Sequence, residues 1–242
     1  MKVLALDTAT EACSVALLTD GGVIGVCKEV GRGHAEQILG MVDAVLGEAG
    51  LVLGMLDGIA ASVGPGAFTG VRISVSVAQG LAFGAELPVV AVTTLEALAL
   101  QALRGATEQL ARGAVHQAMA CLDARMGEVY WGCFAGDAAR GVIARGPMAV
   151  GPAASVRVPL AGPFSGIGRG FGAYPSLHEL PGVYLLAGAC NALPDARDMA
   201  RLGAIRLAAG EGVDPADLAP VYLRDKVALT EAERAVAKPA AG

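Results

Sequence analysis

Apolar residues follow two rhythms along the first hundred positions of this chain. Residues 2–6, 13–18 and 23–30 are short apolar or alternating runs, and Thr19-Asp20-Gly21-Gly22 between the last two carries a hairpin signal. Three antiparallel strands are therefore predicted, the first ending at Asp7. The period then lengthens. Ile38, Met41, Val42, Val45, Leu46 and Ala49 recur at helical spacing, which predicts a helix over residues 34–49 with Gly50 as its C-cap. Residues 58–63 read as a fourth strand. A glycine-rich turn follows, GPGAFTGVR at 64–72, and a second helix over 69–83. That helix carries Val71, Val75, Ala78 and Ala82 on one face and Ile73, Val77 and Leu81 on another, so burial on two sides is predicted. Residues 89–92 form a fifth strand, and a third helix runs from Thr94 to about 104.

Three antiparallel strands, helix, strand, helix, strand, helix is the order of one half of the actin/hexokinase/Hsp70-like ATPase fold, an α/β architecture of the ribonuclease H-like type with two similar lobes. The second half is weaker in pattern. Residues 117–123 and 128–134 predict a hairpin, 151–175 a Gly- and Pro-rich loop region, 183–186 a short strand and 194–209 a last helix. The expected organisation is a first lobe over 1–104, a reduced second lobe over 105–212, and a tail over 213–242, irregular to 224 and disordered at its end.

Composition narrows the function classes. The chain has 242 residues, 54% hydrophobic and 17% charged, enough for a substantial core and too apolar for a disordered body. The net charge of −5 opposes tight, independent binding of tRNA or DNA, because phosphate neutralisation dominates such affinity. Asp7 interrupts the apolar start, so no signal peptide is expected, and no run reaches the length of a membrane span. Cys13, Cys27, Cys121, Cys133 and Cys190 are scattered and without CxxC pairs, as expected of small core residues in a reducing cytoplasm.

The glycine turn has two readings. A strand, a glycine turn and a helix N-terminus can cradle an anion; alternatively, Gly64, Gly66 and Gly70 let the helix come very close to another surface. It lacks the lysine of a P-loop. Pro65 fixes one backbone angle, Thr69 is a candidate cap, and Arg72, poorly placed for the helix dipole, is expected to meet a carboxylate or backbone carbonyls. Asp7-Thr8-Ala9-Thr10 reads as a strand-end turn held by its own side chains. The alternative makes Asp7, Thr8 and Gly66 weak candidates for a cofactor's phosphate or metal. Asp123-Ala124-Arg125 is either a turn ion pair or a ligand-facing tip. His34 opens the first helix without a partner at i+4, and His116 and His178 are isolated, so no helix-borne metal site is predicted.

LALDTAT at 4–10, RGHAEQIL at 32–39, GPGAFTGVR at 64–72, LDARMGEVY at 122–130 and PVYLR at 220–224 together resemble the TsaB family of the bacterial threonylcarbamoyladenosine pathway. Ala67 stands where a serine is usual, and Val71 where a leucine is usual. The resemblance implies a non-catalytic scaffold that pairs with its paralogue TsaD. TsaD modifies the adenosine next to the anticodon in tRNAs reading codons that begin with A. TsaE would join through that pair, TsaC would supply the threonylcarbamoyl adenylate, and tRNA would be met only through the complex. The metal-binding histidines of the catalytic paralogue fall on Thr94 and Leu98, so no metal or cofactor is expected on the isolated chain, although a nucleotide could sit at the complex interface. The expected partner surface comprises His34, Ile38, Met41 and Val45 on the first helix and Phe68, Val71, Ser74, Val75 and Ala78 on the second. Homodimers over the same surface are expected when the partner is absent. The competing reading is an enzyme, a metal-dependent glycopeptidase-like or sugar-kinase-like ATPase.

Overall fold

β1 (Val3–Asp7) is buried along its whole length, as a strand must be when both faces of its sheet are covered. In this computed structural model, which describes residues 1–109, 117–137, 141–158 and 162–224, it is the central strand of a five-stranded sheet. β2 (Ala12–Thr19) and β3 (Gly22–Glu29) continue from it as an antiparallel meander on one side. β4 (Gly58–Ser62) and β5 (Val89–Val92) pair in parallel on the other, joined through α1 (His34–Ala49) and α2 (Phe68–Ala85).

After α3 (Thr94–Gln109) the chain builds a second sheet. β6 (Gln117–Arg125) and β7 (Glu128–Asp137) form its hairpin, and β8 (Gly141–Ala144) and β9 (Ala149–Pro152) both pair with β7. β10 (Phe164–Ile167) and β11 (Val183–Leu185) extend the other edge in parallel. β8, β9, β10 and the five-residue α4 (Arg169–Ala173) escape the sequence pattern because each is too short to complete a period. The second half is reduced in helix rather than in strand: its outer face is covered by α4 and short 3-10 turns around Phe164, Phe171 and Leu177.

The two sheets share one core. α3 and α5 (Ala196–Ala208) lie between them, and Leu95, Leu98, Met199 and Leu202 are fully buried with Val3 and Ala60 from the first sheet and Ala120 and Phe134 from the second. α5 follows the second sheet in sequence but rests on the first: Gly203 sits so close to Ala60 that an added Cβ would lie 2.5 Å from its methyl group. Burying each large apolar side chain contributes about 1.5–3 kcal/mol.

The opposite face of the first sheet is covered by α1 and α2, and this corrects the expected partner surface. Ile38, Met41, Val45, Val71, Ser74, Val75 and Ala78 all point into the chain's own core against Leu4, Leu6, Ile59 and Ala61, and none is more than 5% exposed. They were read as an outer face because an apolar stripe says that something covers it, not whether the cover is the same chain. Burial on two sides also fails for α2. Ile73, Val77 and Leu81 are only partly buried, and Phe83 at the far end is 80% exposed. Of the expected interface residues, Phe68 remains at the surface and His34 is partly buried.

The tail from residue 213 is ordered as far as it is described. Leu218 packs under α2, where its carbonyl accepts from Gln79 Nε2 at 3.1 Å, and Val221 N donates to Val63 O at 2.8 Å. The expectation for residues 238–242 lies outside the described residues. The buried placement of Met41 and Val75 carries a consequence: Val75→Glu or Met41→Asp puts an unpaired carboxylate in the core and should cost at least about 3 kcal/mol. Urea unfolding should report a large loss of stability in both variants; a cooperative fold with unchanged midpoint would contradict this packing.

Candidate functional site

Where the first sheet's strand ends face the second sheet, the surface opens into a cleft of about 970 Å³. Its walls are the turn after β1, the start of α1, the glycine turn with the start of α2, the β6–β7 hairpin, and the chain's last described segment. This is the place where a two-lobed ATPase holds its ligand, so each candidate residue can be located against it.

The glycine turn uses close approach. An added Cβ at Gly70 would lie 2.0 Å from the carbonyl oxygen of Thr8, and one at Gly66 2.2 Å from that of Ala9, so only hydrogen fits at either position. Ala67 N donates to Ala9 O at 2.7 Å, and Thr8 Oγ1 donates to Gly70 O at 2.6 Å. The turn after β1 is thus clamped onto the helix start, and Thr8 is fully buried. Thr94 holds the far side: its N–H donates to Gly64 O at 2.9 Å and its hydroxyl to Pro65 O at 2.6 Å. Gly64–Pro65 is a cis peptide bond. Thr69 does not cap α2. The cap position is Ala67, which has no side chain to offer.

Asp7 is equally sealed. Its Oδ1 accepts from Ala9 N at 2.9 Å, while Oδ2 is buried without a partner among the described residues. Burial pushes its carboxyl up to about 6, against the pull of the Ala9 N–H. Ser62 on the neighbouring strand adds a weaker pull of the same sign, although its hydroxyl falls short of a full hydrogen bond. Asp7 and Thr8 are both 0% exposed, the Thr8 hydroxyl is engaged by Gly70 O, and Gly66 is spent on packing.

Thr94 and Leu98, the positions on which the resemblance would place metal-binding histidines, are also committed. Thr94 is the clamp just described. Leu98 is fully buried between the sheets, beside Gly168. A hydroxyl that donates to a carbonyl and an aliphatic side chain do not make a metal site. Among the described residues, no three His, Cys, Asp or Glu side chains are grouped to hold an ion.

Ion pairs cross the cleft instead. Arg125 lies 3.2 Å from Asp123 and 2.7 Å from Glu11 on the opposite wall, so the DAR segment is both a turn ion pair and a bridge between the two sheets. Arg169 reaches Glu29 at 2.6 Å and Glu11 at 3.8 Å. Arg224 pairs with Glu128 and donates to Ala124 O, strapping the segment before it onto the hairpin. Among the described residues Arg72 meets neither a carboxylate nor a carbonyl: its guanidinium stacks 3.7 Å from the Phe68 ring centroid and donates to Tyr222 Oη at 3.0 Å. His34 Nε2 lies 2.9 Å from Thr10 O and steadies the same turn.

One meeting was invisible in the sequence. Cys190 lines the cleft with its Sγ 3.9 Å from His178 Nε2, although the two are not neighbours in the chain. That nitrogen sits 2.8 Å from Phe171 O. A nitrogen that donates to a carbonyl already carries its proton and cannot take one from the thiol, so the pair is not an activated nucleophile. Cys27 is exposed rather than in the core, and burial of its sulfur raises its thiol to about 11. His116 lies outside the described residues.

Comparisons with known proteins give the family. The family model "TsaD: tRNA N6-adenosine threonylcarbamoyltransferase" matches residues 10–163. The tRNA threonylcarbamoyladenosine biosynthesis protein TsaB of Escherichia coli K12 is 40% identical, over 94% of this chain and 96% of that protein. The chain belongs to the TsaB family. The Haemophilus influenzae TsaB is 34% identical, over 94% of this chain and 95% of its own length. The solved structure of YeaZ from Pseudomonas aeruginosa is similar at 42% identity and a TM-score of 0.81, covering 92% of this chain and 99% of the other. TsaB is named for the biosynthesis of threonylcarbamoyladenosine in tRNA, and membership places this chain in that process. No described helix is long and apolar enough to cross a membrane.

Two measurements check the clamp in this TsaB-family chain. Gly70→Ala should destabilise it by about 1–3 kcal/mol, because the clash is with backbone that cannot rotate away; thermal unfolding at wild-type midpoint would contradict the geometry. Asp7 binds its proton more tightly folded, at about 6, than at its ordinary 3.8. Its contribution is therefore complete below pH 3.8 and lost as pH rises through 6. Asp7→Asn should be more stable than wild type at neutral pH, by on the order of 3 kcal/mol, with the gap closing towards pH 4. A gap that does not change with pH in urea titrations would count against a strained carboxylate.

Proposed function

We propose that this chain is a non-catalytic scaffold subunit that pairs with and activates a TsaD-type threonylcarbamoyl transferase, with TsaE and tRNA reached through that pair. Threonylcarbamoyladenosine would form next to the anticodon of tRNAs reading codons that begin with A. The observation that carries this reading is the outer surface of α1 and α2. Leu39 on α1 and Phe68 and Phe83 on α2 are exposed, and Ile73 and Val77 are only partly covered. Gly40, Gly47, Gly80 and Gly84 stand on the same two helices with open space where a Cβ would go. A glycine inside a helix costs roughly 1 kcal/mol relative to alanine. Among the described residues nothing lies within 4 Å of a Cβ built at these four positions, whereas closely packed helices of a second protein would ask for glycine there.

The chemistry points the same way. The glycine turn is packed against the chain's own backbone, and Arg125, Arg169 and Arg224 at the cleft are each paired with a carboxylate. The cleft is still of ligand size, so a nucleotide held at the complex interface is compatible with a scaffold. In the absence of the transferase the same helices would join two copies of this chain, in the cytoplasm where tRNA is modified.

Leu39→Asp and Gly80→Gln each alter the outer surface without touching the core. Gly80→Gln should stabilise the isolated helix by roughly 0.5 kcal/mol. Both variants should keep the wild-type circular dichroism spectrum and lose co-purification with the transferase. Retention of the complex by both would remove this surface from consideration. Calorimetry with ATP and Mg²⁺ on the chain alone should give no heat; micromolar binding with turnover would favour the enzyme reading.

A further inference from the structure

The docking surface also carries a charge pattern, and we infer from it that the surface selects a basic partner face in preference to a second copy of this chain. The inference rests on the scaffold reading and specifies the chemistry of the partner. α1 contains no lysine or arginine, and Glu36, Asp43 and Glu48 are all exposed. Glu36, Gly40, Asp43 and Gly47 recur every three or four residues, so the two carboxylates and the two open glycines share the outer stripe of the helix. None of the three acids forms a salt bridge among the described residues. The acids around the cleft behave differently: Glu11, Glu29, Asp123 and Glu128 each meet an arginine.

α2 offers little compensation. Its sole charged residue is Arg72, which is already stacked on Phe68 and bonded to Tyr222. The two helices therefore present three carboxylates and one engaged guanidinium. Face to face, two copies of this chain would bring six carboxylates together with two guanidiniums. Like charges at an interface disfavour the pairing, while a basic face opposite would be steered in and held. Between the helices, at their N-terminal ends, Ala35, Phe68, Ile73 and Val77 line a shallow socket of about 380 Å³, with Arg72 at its wall held against Phe68. The occupant is accordingly a partner helix that sets lysine or arginine opposite Glu36 and Asp43 and inserts one large apolar side chain into this socket.

The test uses the full chain and the tRNA N6-adenosine threonylcarbamoyltransferase of the same organism. Affinity is measured for wild type, for Glu36→Lys with Asp43→Lys, and for Leu39→Asp. Wild-type affinity should fall as salt rises from about 0.05 M to about 0.5 M. The charge-reversed variant should bind about tenfold or more weakly at low salt and lose that salt dependence. By sedimentation, wild type mixed with the charge-reversed chain should self-associate more strongly than wild type alone. If charge reversal leaves affinity and salt response unchanged while Leu39→Asp abolishes binding, the helices dock but charge does not choose the partner, and the inference fails. If Leu39→Asp also binds normally, the docking surface itself is wrong and both readings fall together.

Discussion

The contact on which the molecule depends is backbone against backbone. The start of α2 lies directly on the turn after β1, with Gly70 under the Thr8 carbonyl and Gly66 under that of Ala9. Two hydrogen bonds lock this approach, one from the backbone of Ala67 to Ala9 O and one from the Thr8 hydroxyl to Gly70 O. Its position fixes the tilt of α2 on the sheet, and through α2 the outer surface formed with α1. It also leaves no room for a Cβ between the glycine turn and the strand-end turn.

The rest of the cleft is built to stay in place. Thr94 grips the glycine turn, and Leu98 is buried in the core between the two sheets. Glu11 joins Arg125 and Arg169 across the opening, and the PVYLR segment straps the first sheet's helix layer to the β6–β7 hairpin. Each of these pairs is partly open to water and contributes modestly by itself. Together they hold two sheets whose main attachment is the apolar layer of α3 and α5.

α1 and α2 divide their faces. Ile38, Met41, Val45, Val71, Val75 and Ala78 are buried within the chain, while Leu39, Phe68 and Phe83 and several small residues face outward. The outer face is less apolar than the core beneath it, as the surface of a folded chain must be if it is not to present a large exposed apolar patch.

Much of this was legible in the chain itself. Period and turn chemistry determined the strand meander, α1 with its glycine cap, the order of the first sheet's elements and the hairpin at residues 117–134, because those signals are local. The glycine turn announced close approach, and the motif set identified the family. Tertiary structure alone decided the rest. An apolar stripe states that a face is covered, and only the packed chain tells whether the cover is its own sheet or another protein; Val75 and Leu39 look equally available in sequence and lie on opposite sides of their helix layer. It also decided the partner of Arg72, the pairing of Glu11 with arginines more than a hundred residues away, and the meeting of Cys190 with His178, since long-range contacts leave no periodic trace. The four-residue strands of the second sheet exist because neighbours supply their hydrogen bonds, a condition that no stretch of sequence so short can carry by itself.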